Sequence, residues 1–161
     1  MFMKPNISPA RVIEIIKLCQ QEAEVAIKEG NVPISSIITD LVGNILVTAH
    51  NTQNVDNDPT AHGEINALRL LGEQNGSRYL DGCVMFGNAE ICSMCASACI
   101  KSRIYAFYYG APAEPSMDPW LPINEIAKVT RNALYVEGPI LGDVCSEQIA
   151  RGRAYLESLK S

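Results

Sequence analysis

The chain has 161 residues, enough for one domain with a sizeable core and few for two. Apolar residues make up 47% and charged residues 19%, an ordinary globular balance, and the longest apolar runs, such as 34–38, fall far short of a membrane span. A net charge of -5 and an isoelectric point near 5.0 argue against a surface built throughout for a phosphate backbone.

The opening Met1-Phe2-Met3-Lys4-Pro5 lacks the charged start and apolar block of a secretory signal, so a cytoplasmic protein is expected. In that compartment six cysteines read as metal ligands or buried thiols rather than disulfides. Cys19, Cys83, Cys99 and Cys145 stand in apolar surroundings and are expected in the core. Lys101, Arg103, Arg131, Arg151 and Arg153 read as solvated charges.

Ser8 caps and Pro9 opens a first helix. In it Val12, Ile15, Ile16, Cys19, Ala23, Ala26 and Ile27 recur at helical spacing, and Gly30-Asn31 ends it. Residues 32–40 read as a largely buried strand, Gly43-Asn44 as a turn, and 45–50 as the returning strand of a hairpin. Residues 52–58 read as a polar loop. A helix from Ala61 to about Gln74 is apolar on more than one side and is expected to be mostly buried.

A third strand, 83–88, runs into a helix after Cys92, whose Ala96, Ser97 and Ala98 permit close packing. Residues 103–109 read as a fourth strand. The stretch from Gly110 to Pro122 holds four prolines and Trp120, and its length favours a functional or interface role. A short helix over 124–128, a fifth strand over 133–136 and a final helix over 143–159 complete the chain. This order predicts a three-layer α/β/α sandwich around a five-stranded mixed sheet, in a single domain spanning 1–161.

Two stretches carry chemistry, Asp58-Pro59-Thr60-Ala61-His62-Gly63-Glu64 and Glu90-Ile91-Cys92-Ser93-Met94-Cys95. Together they supply one imidazole, one carboxylate and two thiols. Cys92 and Cys95, at i and i+3, share one face of a helical turn. His62 and Glu64, two apart, would point roughly 200° from each other on a regular helix. They converge only if His62 stands at a helix boundary, and Pro59 and Thr60 are residues that open helices. The metal then lies where two helices begin, and both sets of amide dipoles favour thiolate there. His62, Cys92 and Cys95 occupy three positions of a catalytic zinc, the fourth is left to water, and Glu64 moves protons. A structural histidine or a redox Cys-x-x-Cys pair are the blander alternatives, and the joint spacing weighs against both. No spacing ties His50 to the metal, so it reads as a strand-end residue; Trp120 reads as a loop anchor or dimer contact.

His62-Gly63-Glu64 together with Cys92-Ser93-Met94-Cys95 resembles the signature of the zinc-dependent cytidine deaminase superfamily. Asn57-Asp58-Pro59-Thr60-Ala61-His62 resembles the run before the zinc histidine in guanine deaminases and bacterial tRNA adenosine deaminases, and Ser102-Arg103-Ile104 matches too. Asn51 resembles their substrate-binding asparagine. Two positions depart from the family pattern: Gly63 stands where Ala is usual, and Ile91 where Pro is usual.

The resemblance implies a cytidine deaminase-like fold, one Zn2+ per chain and a homodimer. It implies hydrolytic deamination of a free nucleobase or similar small aminated heterocycle, with Glu64 as proton shuttle. Asn51 and the Gly63 N–H would hold the ring, and Glu114 or Asp118, from the long loop, would read a further amine. The competing functions are adenosine-to-inosine deamination in tRNA and, in another class, a non-catalytic zinc-stabilised module, which would have no need of Glu64.

Overall fold

The computed structural model describes residues 3–114, 122–130 and 134–161. Side chains alternate strictly across the sheet, and this alternation makes three layers. On strand β1 (Ser35–Asp40), Ile37 faces one side and Ile38 the other; on β3 (Cys83–Ala89), Val84 and Phe86 oppose Met85. On β4 (Ala106–Ala111), Tyr108 opposes Phe107 and Tyr109. Helix α1 (Pro9–Lys28) covers the first side with Val12, Ile15, Ile16 and Cys19, and α6 (Gly142–Ser158) joins it with Cys145 and Ile149. The other side is covered by α3 (Gly63–Asn75), α4 (Ser93–Lys101) and α5 (Ile123–Val129).

The strand order is β2-β1-β3-β4-β5, with β2 spanning Ile45–His50 and β5 Tyr135–Glu137. β1 pairs antiparallel with β2 and β3, whereas β3, β4 and β5 run parallel, so the sheet is mixed as expected. β3 and β4 are buried along their whole length, which accounts for their nearly continuous apolar sequences. Cys19, Cys83, Cys99 and Cys145 are all buried, as the composition around them implied. No described helix is long and apolar enough to cross a membrane.

The differences from expectation have local causes. β1 begins at Ser35 rather than Val32, because the Asn88 side chain takes the polar groups just before it. Asn88 Oδ1 accepts from Ser35 N at 2.9 Å, and Asn88 Nδ2 donates to Pro33 O at 2.9 Å. The expected loop over 52–58 contains a one-turn helix, α2 (Gln53–Asp56). Its first N–H groups find an acceptor in Asn31 Oδ1, 3.1 Å from Asn54 N and 3.2 Å from Val55 N. α3 starts at Gly63, not Ala61, since Thr60 instead closes a turn onto Asp58 Oδ1. It buries one face only, through Gly63, Glu64, Ala67 and Leu71, and Leu70 is exposed. β4 starts at Ala106 because Arg103, at φ 63°, turns the chain sharply after α4. Asp118, Trp120 and the expected start of the fifth strand at Ala133 lie outside the described residues.

Two side-chain environments generate tests. A Cβ on Gly110 would sit 2.5 Å from Cys145 Sγ and 2.6 Å from Asn88 O, distances that force the β4–α6 contact apart. Gly110→Ala is expected to cost about 1–3 kcal/mol as overpacking, lowering Tm by about 2–4 °C per kcal/mol; an unchanged melting curve would contradict this packing. His50 bridges α1, with Nδ1 2.6 Å from Glu22 Oε1 and Nε2 2.8 Å from Glu29 Oε2. Burial opposes its charge, yet the two carboxylates outweigh it and hold its pKa above the ordinary histidine value. A raised folded-state pKa stabilises fully below the unfolded value of about 6.5 and ceases to do so as pH rises through the folded value. His50→Gln should therefore lower Tm by a few degrees at pH 5.5, for a partly exposed pair worth at most about 1 kcal/mol. The gap should narrow by pH 9. A gap independent of pH would exclude the charged pair.

Candidate metal centre and pocket

The edge of the sheet where β3 ends and β1 begins receives the N-termini of two helices. β3 leads through Glu90, whose N–H bonds Ala111 O at 2.7 Å, and the buried Ile91 to Cys92. Cys92 is the N-cap of α4, in extended conformation at φ -75°, ψ 165°, and so stands just outside the helical turn that holds Cys95. His62 occupies the matching place before α3, at φ -69°, ψ 154°. This extended cap lets His62 and Glu64 turn to one point despite their separation of two. It is held by His62 N to Thr60 O at 2.8 Å and Thr52 N to Ala61 O at 2.9 Å.

His62 Nδ1 lies 3.6 Å from Cys92 Sγ and 3.5 Å from Cys95 Sγ, and all three ligand atoms fall within 4.8 Å of one another. A tetrahedral zinc with Zn–N of 2.0–2.1 Å and Zn–S of 2.3 Å requires N···S separations of about 3.6 Å. The donor set fits that ion in identity and in spacing. Among the described residues this is the one cluster of three or more such ligands. Cys99, a turn further along α4, is not among them: its thiol points at Met85 Sδ, 3.6 Å away.

The electrostatics of the cluster are those of one shared charge. Cys95 donates to the Cys92 sulfur and His62 bonds it as well, so the Cys92 thiol is brought down to about 4 against its burial. Cys95, as donor to that sulfur and itself buried, is pushed up. The His62 imidazole is raised, first by its bond to Cys92. Zinc binding to this set must displace the Cys95 proton, so metal uptake and proton release are coupled. Glu64 is 2% exposed, and its Oε2 has no hydrogen-bond partner. Burial, then the neighbouring Cys92 charge, push its carboxyl up to about 7. An orphaned buried carboxylate oxygen beside a ligand cluster is an expensive feature for a purely structural site.

A cavity of about 250 Å³ opens onto this cluster. Asn51, 2% exposed, lines it with a fixed amide: Nδ2 donates to Gln53 Oε1 at 2.7 Å, and Oδ1 accepts from Gln53 N at 3.0 Å. Gly63 stands at the first position of α3, where its N–H has no partner within the helix. A Cβ there would approach Ser35 Cα to 3.1 Å and Ile34 O to 3.3 Å, which is why this chain tolerates the smaller residue at that place. Glu90 lines the pocket while clamping the chain beyond β4, accepting from Ala113 N at 2.8 Å and Ile123 N at 3.1 Å. Arg153 reaches the same cavity from α6.

Of the eight site residues expected from sequence, the structure brings His62, Glu64, Cys92 and Asn51 to one pocket, joins Cys95 to His62 and Cys92 in the ligand cluster, and sets Gly63 at the first position of the adjoining helix. Glu114 is not with them: it is exposed and borders a separate cavity of about 40 Å³ beside α6. Asp118 lies outside the described residues. Gln53, Glu90, Asn88 and Arg153 were not anticipated. Glu90 alone carried a sequence signal, an acidic residue joining a buried strand to the first cysteine.

Residues 10–111 match the family described as the cytidine and deoxycytidylate deaminase zinc-binding region. Among relatives, the tRNA-specific adenosine deaminase of Aquifex aeolicus is 35% identical over 96 residues, 60% of this chain and 63% of that protein. The guanine deaminase of Bacillus subtilis is 34% identical over 90 residues, 53% of this chain and 58% of that protein. The matched segments thus span less than two thirds of either relative. A solved structure from a study of A-to-I editing by tRNA:A34 deaminases superimposes with a TM-score of 0.73 at 28% identity, covering 86% of this chain and 98% of that one.

The ligand set is open to direct measurement. Cys92→Ala is expected to drop zinc from about one per chain to a small fraction of that, by elemental analysis after dialysis, because two ligands cannot close the site. Full occupancy in that variant would show that the three side chains are not the ligands.

Proposed function

The chain belongs to the cytidine and deoxycytidylate deaminase family defined by its zinc-binding region, and from that premise we propose that it hydrolytically deaminates a free nucleobase or similar small aminated heterocycle. The observation that carries this is the buried carboxylate of Glu64, with its Oε2 left without a partner, beside the three-ligand cluster at a small cavity. At about 250 Å³ that cavity falls below the ~300–1,000 Å³ of pockets for drug-sized ligands, which suits one ring system. The net charge of -5 gives no general field to draw in a polyanion.

The chemistry supplied by zinc held on His62, Cys92 and Cys95 is the acidification of a coordinated water to a pKa near 7. Glu64 takes one proton from water and gives it to a ring nitrogen, then carries the second, from the hydroxyl added to the ring carbon, to the departing amine, so that water and the aminated ring become the oxo ring and ammonia. Burial favours its protonated form and an adjacent cation its charged form, the opposition expected of a group that both accepts and gives a proton. Asn51, held by Gln53, and the first N–H of α3 hold the ring edge in register with that carboxylate. Ile34, Val32 and Ala89 supply the apolar walls that exclude bulk water.

A second reading, adenosine deamination in tRNA, is favoured by relatives of that name and similar identity. Ammonia release from guanine, adenine, cytosine, their nucleosides and aminated triazines separates the two, alongside salt-dependent binding of tRNA. The free-base reading fails if tRNA alone is turned over. For the shuttle, Glu64→Ala should keep stoichiometric zinc and lose about 10²–10⁴-fold in turnover; an unchanged rate in that variant excludes the role.

A further inference from the structure

The metal ligands, Glu64 and Asn51 all lie within residues 10–111, the part of the chain shared with the family. Arg153 does not. It enters the pocket from α6, in the layer on the opposite face of the sheet from α3 and α4, which carry the ligand cluster. It is half-buried, borders both the 250 Å³ pocket and the smaller cavity next to it, and is the one lysine or arginine lining the pocket among the described residues. Among those residues it makes no hydrogen bond or ion pair, although Arg151, two residues earlier on α6, is paired with Glu24. Of the two carboxylates in the lining, Glu90 already accepts from Ala113 N and Ile123 N.

An arginine fork is donor-only, with N–H groups in a fixed plane and no acceptor. A ring seated with its aminated carbon over the cluster turns its opposite edge toward the α6 side of the cavity. We propose that Arg153 determines specificity, its guanidinium donating two hydrogen bonds to a carbonyl oxygen and the adjacent ring nitrogen on the edge opposite the reacting carbon. The substrate class is then an amino-oxo heterocycle, as in the 2-amino-6-oxo purine pattern, rather than a ring bearing amines on both edges. This rests on the deaminase reading of the pocket and deepens it. The pairing proposed is the bidentate one by which arginine reads adjacent oxo and ring-nitrogen acceptors of guanine, whereas glutamine pairs with the amine and ring nitrogen of adenine.

The test is equilibrium binding of guanine and 2,6-diaminopurine to the zinc-loaded protein; the two rings differ in the 6-substituent, oxo against amine, and in the N1 hydrogen that accompanies it. The wild type should bind guanine about tenfold or more tightly than diaminopurine, the discrimination of one bidentate pair. Arg153→Lys should keep that order, and Arg153→Gln should shift it toward diaminopurine. A preference unmoved in Arg153→Gln, equal weakening of both rings, or no binding of either ring would overturn the proposal. Ammonia release is read separately. Arg153-dependent binding of guanine with no ammonia from the wild type would sink the deaminase reading while leaving the recognition standing.

Discussion

Everything at the site depends on two helices being capped by residues that are not helical. His62 and Cys92 both sit in extended backbone immediately before a first turn, so each points its side chain across the mouth of its own helix. Neither brings a capping oxygen, so the early N–H groups of α3 and α4 face whatever lies between them. One of those groups, Cys95 N–H, bonds the Cys92 sulfur, and the positive ends of two helix dipoles favour anionic sulfur in the same place. The burial of Glu64 then follows from its position. Two residues into α3 it has no direction to point except into the site, and its charge is tolerated there only beside a cation or a proton.

Two polar tethers hold these helix mouths against the sheet. Asn88, fully buried near the end of β3, bonds both sides of the residue before β1 and thereby fixes the segment carrying Val32 and Ile34 against the pocket. Asn66, on α3, donates to His50 O and Thr52 Oγ1 and so ties the end of β2, and with it Asn51, to the helix that carries Glu64. Neither side chain touches the cavity wall in a catalytic position. Both limit how far the Asn51 amide and the Glu64 carboxylate can drift from each other.

The sequence made the layers legible because burial leaves a periodic mark. The stripe on α1 and the strict alternation on β1, β3 and β4 are direct imprints of which side each residue faces. The ligands were legible for a different reason: His and Cys at such spacings have few other uses, and the boundary position of His62 follows from helix geometry alone. What escaped notice was whatever depends on partners distant in sequence. α2 forms because Asn31, 23 residues earlier, supplies its missing acceptor, and β1 is shortened by Asn88, 53 residues away. Glu114 was placed in the pocket on the strength of loop length, which says that a loop has a role without saying where its side chains go.

The same distinction explains how the pocket divides its work. One wall, built from α3, α4 and the end of β2, carries the His62, Cys92 and Cys95 cluster, Glu64 and Asn51, all within the stretch of chain matched by the family. The facing wall is assembled from elements after β4: Ala113, tied to Glu90, and Arg153 on α6. The two walls meet across the sheet without sharing a core, since α6 packs with α1 on the opposite face from α3 and α4. Substitutions on α6 can therefore change which ring edge is read without disturbing the ligand geometry. A fold arranged this way permits one hydrolytic chemistry to be paired with many ring systems.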